Sequence, residues 1–276
     1  MAYCTSIGMT FLSHEQGGVA AMCNQVRKAQ EFRALHVPGR PLRIFNVWDA
    51  GSARAVTESG ARALGTSSWA VANANGFSDG EEIPLPSVID NLRRIVAITD
   101  IPVTIDLESG YGDDPERVGE TVARAIDAGA VGCNLEDSVP RKDLLREPPL
   151  QAARVRAARQ AADAARVPFF INARTDVFFQ PTAQPDEKAM LKETIERAQR
   201  YADSGADGLF VPGLLDLQLI SVLVEASPLP VNIMMGEGGP SLASLADRGV
   251  ARVSYGAQPY LLAMQALRSA AADRGL

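Results

Sequence analysis

The sequence has few residues of the kinds that build disulfide frameworks or zinc sites. Three cysteines occur in 276 residues, at positions 4, 23 and 133, and none belongs to a CxxC pair. Histidine occurs only at positions 14 and 36, and there is no HExxH pattern. These absences argue against a disulfide scaffold and against a zinc centre built from His and Cys ligands. A reducing, cytoplasmic location is therefore expected.

Excess positive charge and long apolar runs are also missing. The net charge is -6 and the sequence pI is near 5.1, which argues against nucleic acid or an anionic membrane as the partner. No run approaches the roughly 20 apolar residues of a membrane span. Residues 1–24 lack the basic start and long apolar stretch of a signal peptide, so they are interpreted as a loose N-terminal arm, with an upstream start as the alternative. The expected partner is a small molecule.

A junction of helix end, glycine and strand recurs along the chain. It is found in ESGARALGTSS (58–68), DAGAVGCNLED (127–137), DSGADGLFVPG (203–213) and DRGVARVSYGA (247–257). The glycines of these junctions are predicted to end helices with a positive φ, the conformation that glycine tolerates best. They are Gly60, Gly129, Gly205 and Gly249.

Eight strand patterns alternate with helical patterns. The strands are predicted near residues 43–49, 63–69, 102–108, 132–137, 168–175, 208–212, 230–235 and 252–256. Because there is no Pro/Gly/Ser-rich linker between halves, the pattern favours one α/β domain over residues 25–276, a (β/α)8 TIM barrel. A doubly wound sheet is the minor alternative.

Acidic residues replace apolar ones where two of these strands end. In TIDLESGYGD (104–113), Asp106 and Glu108 share one strand face, and Glu136 follows on the next strand. The carboxyl ends of barrel strands surround the active site, so we expect the three acids to converge there. Crowded carboxylates repel one another unless a cation neutralises them, and an all-oxygen set suits Mg2+, with Mn2+ as the second choice. The alternative for each acid is structural pairing, or hydrogen bonding within the turn at the end of its strand.

Two further polar positions are expected to face the mouth. Arg174, in FINARTD, is suited to a bidentate grip on a substrate carboxylate, although it could instead pair with the neighbouring acids. Asn232, on the seventh strand, either lines the pocket or satisfies backbone groups at the strand end.

These residues lie within a wider resemblance. The runs GTSSWAVANANGFSDGE, IDLESGYGDDPERV, AVGCNLEDS and INARTDVF are similar to the isocitrate lyase and phosphoenolpyruvate mutase superfamily, from about residue 27 to the end. The resemblance implies a (β/α)8 barrel with Mg2+, usually a homotetramer in which the last helix is exchanged between subunits.

The resemblance also implies roles for individual residues. Asp106 and Glu108 match the acids that hold Mg2+ directly or through water, and Glu136 matches the third acid of the metal site. Arg174 matches the arginine that contacts a substrate carboxylate or enolate oxygen. The segment that receives the carboxylate of a 2-oxo acid corresponds to Ser67, Ser68 and Trp69, and Asp79 falls at a mobile acid. The expected catalytic residues are Asp79, Glu136 and Arg174, and Asp106 and Asn232 are expected to contact substrate as well.

The sequence departs from the best-known branches of the superfamily. The lyases resemble one another in a KxCGH loop that supplies a cysteine, whereas residues 138–149 read SVPRKDLLREPP. Pro212 stands in the region where mutases have a histidine. We therefore expect a Mg2+-dependent enzyme that cleaves a C-C bond of a 2-oxo acid or dicarboxylate through a metal-stabilised enolate, like an oxaloacetate decarboxylase or an acid lyase. Two alternatives stay open, namely P-C chemistry on phosphonopyruvate or phosphoenolpyruvate, and a non-catalytic protein that binds a 2-oxo acid such as 2-oxoglutarate.

Overall fold

Eight parallel strands form the centre of the molecule. The computed structural model describes residues 22–180, 186–236 and 238–275. The strands are β1 (Leu42–Ile44), β2 (Leu64–Gly65), β3 (Val103–Asp106), β4 (Gly132–Glu136), β5 (Phe170–Arg174), β6 (Gly208–Val211), β7 (Val231–Met234) and β8 (Arg252–Ser254). Each strand is short, buried and rich in apolar residues, as expected where a sheet is covered on both faces.

The order of the strands shows a barrel. They run β1-β8-β7-β6-β5-β4-β3-β2, so that from β2 to β8 each strand pairs in parallel with the next strand in the chain, and β8 pairs with β1. The remaining gap is closed beyond the end of β1, where the amide of Val47 donates to the carbonyl of Gly65 at 2.9 Å and Ser67 donates to Val47 at 3.1 Å. The predicted (β/α)8 barrel is confirmed, because a doubly wound sheet would instead reverse its strand order at a switch point.

Helices surround the barrel and separate successive strands. A helix over residues 22–34, α1, precedes β1. The others are α2 (Ala50–Glu58), α3 (Ser68–Ala74), α4 (Leu85–Ala97), α5 (Pro115–Asp127), α6 (Pro148–Ala164), α7 (Glu187–Asp203), α8 (Leu217–Ala226), α9 (Leu242–Asp247) and α10 (Gln258–Ala272). The four predicted junction glycines all have a positive φ, between 81° and 97°. Of the predicted arm over residues 1–24, all but the last three residues lie outside the described residues.

The amino end of the barrel is closed by α1. Phe32 is fully buried and packs edge to face against Phe170 with ring centroids 5.5 Å apart. His36 stacks on the same ring at 4.0 Å, and its Nδ1 lies 2.8 Å from the carbonyl oxygen of Phe32. The opposite end, at the carboxyl ends of the strands, is therefore the open mouth.

The last helix exposes more large apolar side chains than any other helix of the described ranges. In α10 only Pro259 is buried, whereas Leu261, Leu262 and Leu267 are 48%, 56% and 63% exposed. Tyr260 provides the aromatic contacts of this helix, edge-on to Trp48 and to Trp69. Among the helices of the described ranges, none is long and apolar enough to span a bilayer.

Candidate active site

The ends of β3, β4 and β5 bring the predicted acids and arginine together. Asp106 is the last residue of β3, and Glu108 follows two residues later. Glu136 ends β4 directly opposite Arg174, which ends β5, because the register of this strand pair aligns the two positions. The alternation of side chains along each strand then turns Asp106, Glu136 and Arg174 toward the mouth, whereas Glu108 lies beyond the end of β3 with a φ of 51°.

One carboxylate oxygen of Asp106 accepts hydrogen bonds, and the other accepts none from the described residues. Its Oδ2 accepts hydrogen bonds from the amide of Ser68 at 3.3 Å and from the Ser68 hydroxyl at 3.0 Å. Its Oδ1 is buried and has no hydrogen-bond partner among the described residues. A buried carboxylate oxygen is costly to leave unpaired, so this atom is placed to accept a cation, a ligand or water.

Glu108 is held by a turn that reaches over from the second strand. Its Oε2 accepts from the amides of Gly80 and Glu81 at 2.8 and 2.7 Å, and its Oε1 accepts from the hydroxyl of Tyr111 at 3.3 Å. Burial, together with the negative charges of Asp79 and Asp106, raises the pKa of Glu108 to about 8. The protonated form is thus favoured at neutral pH until a cation compensates the nearby charge.

Arg174 joins two acids across the floor of the mouth. Its Nη1 lies 2.9 Å from Oε2 of Glu136, and its Nε and Nη2 donate to the two oxygens of Asp176 at 2.6 and 3.0 Å. Burial raises the pKa of Glu136. The guanidinium of Arg174 opposes this shift, and the negative charges of Asp176 and Asp106 add to it. The hydroxyl of Ser138 donates to Asp176 at 2.6 Å, which fixes the acid that orients the arginine.

Two aromatic rings flank the guanidinium. The Cζ atom of Arg174 lies 5.4 Å from the ring centroid of Phe179 and 5.8 Å from that of Phe210. Phe210 is buried, whereas Phe179 is 53% exposed and forms part of the rim. Such stacking restricts the plane of the guanidinium, which favours the bidentate recognition of a planar carboxylate.

Asp79 reaches the mouth from the loop between α3 and α4. The residue as a whole is exposed, yet its carboxyl group is near enough to interact with the charges of Asp106 and Arg174. Burial of that group and the charge of Asp106 raise the pKa of Asp79, and Arg174 opposes the shift.

The other predicted residues are capped, packed or buried, and are less accessible to a ligand in the mouth. Ser67 caps α3, with its hydroxyl 3.4 Å from the amide of Ala70, and its own amide is used in closing the barrel. Trp69 packs against Tyr260 at a centroid distance of 5.9 Å. Asn232 is buried inside the barrel, where its Oδ1 accepts from the hydroxyl of Ser254 at 2.9 Å. Ser68 alone of the predicted serine and tryptophan segment contacts an acid of the site.

Several residues that shape the mouth were not predicted. The turn residues Gly80 and Glu81, together with Ser109 and Tyr111, contact or frame Glu108. No local pattern identifies the first pair, because their contacts span 27 or more residues of chain. Asp176 differs from these residues, because the alternation in FINARTD does predict it at the mouth, on the same face as Asn172 and Arg174.

The arrangement can bind charges of both signs. Three carboxylates, one of which has an unpaired oxygen, can attract a cation. The guanidinium beside the two aromatic rings can attract a carboxylate. As the side chains stand, no three His, Cys, Asp or Glu residues of the described ranges are arranged to hold a metal ion. The physical reason is visible in the contacts, because Glu108 is bonded to the amides of a turn and Glu136 is bonded to Arg174.

Known proteins with similar sequences and structures include several that are named as lyases, mutases or hydrolases. A 2-methylisocitrate lyase from Escherichia coli K12 is 29% identical over 75% of this chain and 70% of its own length. The crystal structure of a provisionally named phosphonomutase from Burkholderia cenocepacia J2315 has a TM-score of 0.88 and 55% identity, and the match covers 91% of this chain and 100% of that chain. The structure of an oxaloacetate acetylhydrolase in complex with its product oxalate has a TM-score of 0.78 and 25% identity, covering 88% and 84%.

A family model gives the same relationship over most of the chain. The model described as phosphoenolpyruvate phosphomutase matches residues 32–274, a range that includes all eight strands and the acids and arginine of the mouth. The chain therefore belongs to the phosphoenolpyruvate phosphomutase family, within the superfamily of lyases and mutases that its motifs resemble.

Proposed function

We propose that this protein is a Mg2+-dependent lyase that cleaves a C-C bond of a small 2-oxo acid or a related dicarboxylate. The observation that carries the proposal is the joint placement of Asp106, Glu108 and Glu136 beside Arg174 at the open end of the barrel. Structural ion pairing explains only part of this set. Arg174 serves Glu136 and Asp176, which leaves the free oxygen of Asp106 without a cationic partner.

The residues present fit a hard divalent cation. Every candidate ligand is a carboxylate oxygen, the ligand type that Mg2+ and Mn2+ prefer. Asp106 would bind directly through Oδ1, while Glu108 and Glu136 would contribute through water or after leaving their present partners. When bound, the cation would neutralise these acids and stabilise the negative charge that develops on an enolate oxygen of the substrate.

The remaining residues would bind and orient the substrate. Arg174, fixed by Asp176 and by two aromatic rings, would hold a carboxylate in one plane. Asp79 is the candidate proton donor, because it lies in the turn over the mouth near Asp106, and burial together with the charge of Asp106 raises its pKa. The loop over residues 138–147 adjoins Asp79, since a Cβ on Gly80 would lie 3.0 Å from the side chain of Arg141, and it would help exclude water.

The names of the relatives support C-C chemistry. They include a 2-methylisocitrate lyase and an oxaloacetate acetylhydrolase, and both names refer to small organic acids. The family description favours a second candidate, P-C chemistry on phosphonopyruvate or phosphoenolpyruvate. Pro212 stands in the region where the mutases have a histidine, and proline cannot donate a hydrogen bond to a phosphoryl oxygen. P-C chemistry is therefore the second candidate.

A substrate panel separates these candidates. Purified protein would be incubated with oxaloacetate, 2-oxoglutarate, methylisocitrate, isocitrate, phosphonopyruvate and phosphoenolpyruvate, with Mg2+ or with EDTA, and products followed by carbon and phosphorus NMR. Magnesium-dependent cleavage of a carbon acid is the expected result. Phosphorus products would assign the second candidate. Thermal stabilisation by a 2-oxo acid without any product would instead support a non-catalytic binding protein.

A pair of isosteric variants tests the metal site. Asp106→Asn keeps the shape of the side chain but removes the charge, and we expect turnover to fall by about 100-fold or more. Asp114→Asn is the matched control, since the Asp114 side chain makes no capping hydrogen bond at the start of α5. Equal turnover in the two variants, or full activity in EDTA, would refute the metal site.

We further propose that the protein assembles through α10. A groove of about 620 Å3 lies beside β1 and α2, lined by apolar residues that include Leu42, Phe45 and Val56, and by arginines that include Arg43 and Arg62. The exposed leucines of α10 suit its apolar lining, and the carbonyl end of a helix suits its arginines. The proposed occupant is α10 of a second copy, in a homodimer or homotetramer.

A further inference from the structure

Two turns at the rim are joined by a reciprocal exchange of hydrogen bonds between their acids. The amides of Gly80 and Glu81 donate to Oε2 of Glu108 at 2.8 and 2.7 Å. In return, Oε1 of Glu81 accepts from the hydroxyl of Ser109 at 2.7 Å and from the amide of Tyr111 at 2.8 Å. Each acid thus binds the backbone of the turn that carries the other.

The backbone of this junction is held in an unusual conformation. Glu81, Glu108 and Tyr111 have φ values of 63°, 51° and 57°, in the left-handed region that side chains other than glycine rarely adopt. Residues stay in this region when surrounding contacts over-determine them, and such residues gather at functional sites. The four reciprocal hydrogen bonds are the contacts that maintain these three conformations.

The junction is buried on the side of the barrel. Ser109 is fully buried and Glu108 is 4% exposed, whereas the neighbouring Glu82 is exposed. Hydrogen bonds to a buried carboxylate are strengthened because water does not compete for the acceptor. The turn over residues 79–81 is therefore fastened mainly through carboxylates, and Asp79 lies at its start.

We infer that Glu81 is a positioning residue, which fastens the turn carrying Asp79 over the mouth and sets the orientation of Glu108. The role of Asp79 and Glu108 in metal binding and proton transfer rests on the proposed function. The fastening itself does not, because its contacts are complete in the protein alone. Glu81 acts through other residues and has no direct part in the chemistry.

Amide hydrogen exchange tests the fastening without metal or substrate. In Glu81→Ala the protection of the amides at positions 80 and 81 should fall about tenfold or more, because the turn loses two of the four hydrogen bonds that join it to its neighbour. Glu81→Gln keeps a side-chain carbonyl acceptor and should retain most of the protection. Glu82→Ala is the matched control, since Glu82 accepts only from Ser78 at 3.3 Å and should leave exchange unchanged. Unaltered protection in Glu81→Ala would overturn the inference.

Mn2+ affinity tests the positioning. Calorimetric titration of Mn2+ into the full-length protein should show affinity about tenfold weaker in Glu81→Ala and near wild type in Glu81→Gln and Glu82→Ala. Equal Mn2+ affinity in all four proteins, together with lost amide protection in Glu81→Ala, would overturn the positioning role while leaving the fastening intact. Failure of the wild type itself to bind Mn2+ would overturn the proposed metal site, and the exchange result would then decide the fastening alone.

Discussion

Arg174 combines two demands at one position, since it satisfies buried acids and presents a flat cationic surface to the mouth. Lysine could replace its charge, but it has neither the planar fork that grips Asp176 nor the surface that stacks on Phe179 and Phe210. We expect Arg174→Lys to lower kcat/KM by about 100-fold, mainly through a higher KM for the carboxylate substrate. Steady-state kinetics on the substrate found in the panel would measure this. Arg200→Lys, at an exposed position in the last turn of α7, should behave as wild type.

His36 gives a prediction about stability that is separate from catalysis. Burial and the charge of Arg252 lower the pKa of His36 to about 3, so the folded protein keeps this imidazole neutral. The unfolded chain takes up a proton near pH 6.5, and stability must therefore fall as the pH decreases from about 6.5 toward 3, at no more than about 1.4 kcal/mol per pH unit. His36→Phe retains the stack on Phe170 and removes the titration. Urea unfolding should show a flatter pH dependence for this variant in that window, and parallel curves would contradict the assignment.

The positions of single site residues were predictable to different degrees. Asp106, Glu136 and Arg174 lie together at the ends of their strands, a location that follows from the sequence because strand side chains alternate and barrel strands end at one mouth. Glu81 was missed because its role depends on contacts with a turn that lies 28 and 30 residues further along the chain. Periodicity in a sequence reports which face a side chain shares, and it carries no information about which distant loop meets it.

At the scale of the elements, the number and order of the strands agree with the prediction better than the residues at which they begin and end. All eight overlap the predicted ranges, but β1 and β2 have only 3 and 2 ladder residues. The predicted spans of 43–49 and 63–69 included extended residues beyond them, and the second span also included the first two residues of α3. The extended residues continue toward the mouth, where Val47 and Thr66 form an isolated bridge and Asn46 donates to the carbonyl of Thr66 at 2.9 Å. Extended conformation is encoded locally, whereas ladder pairing depends on the neighbouring strand.

The turn after β6 is expected to determine the position of the aromatic rim. Gly213 has a φ of +83°, and an added Cβ would collide with the carbonyl oxygen of Phe178. The carbonyl oxygen is part of the backbone and cannot relieve the clash by changing a side-chain rotamer. Gly213→Ala should therefore destabilise the protein by about 3 kcal/mol. It should also displace Phe179 from Arg174 and raise KM.

A second glycine provides the control for that turn. Gly60 has a similar φ of +87°, but an added Cβ would find no atom within 4 Å. Gly60→Ala should therefore show the conformational strain alone, about 1 kcal/mol, with unchanged kinetics. Urea denaturation of both variants measures the difference, and equal losses of stability would mean that the contact with Phe178 relaxes freely.

At the scale of the whole molecule, the barrel accounts for its own core but leaves one helix poorly packed. An eight-stranded barrel is normally covered by a helix after every strand. The helix after β8 instead exposes three leucines, while an apolar groove is open beside β1. The sequence indicated an apolar stripe on this segment without indicating what it contacts, because local pattern does not separate packing within a chain from packing between chains.

The assembly proposal predicts a mass that depends on α10. The helix has 15 residues, so it is about 22 Å long and could extend from one barrel to the next. Light scattering of the full-length protein after size-exclusion chromatography should give a mass that is a multiple of 29.4 kDa, the mass of one chain. The double variant Leu262→Lys, Leu267→Lys should shift toward the monomer, because the groove would have to bury two positive charges beside its own arginines. Leu150→Lys, at an exposed leucine of α6, is the control and should leave the mass unchanged. If the double variant keeps the wild-type mass while the groove residue Phe45→Asp reduces it, the groove accepts a different surface of the second copy, and α10 has no part in assembly.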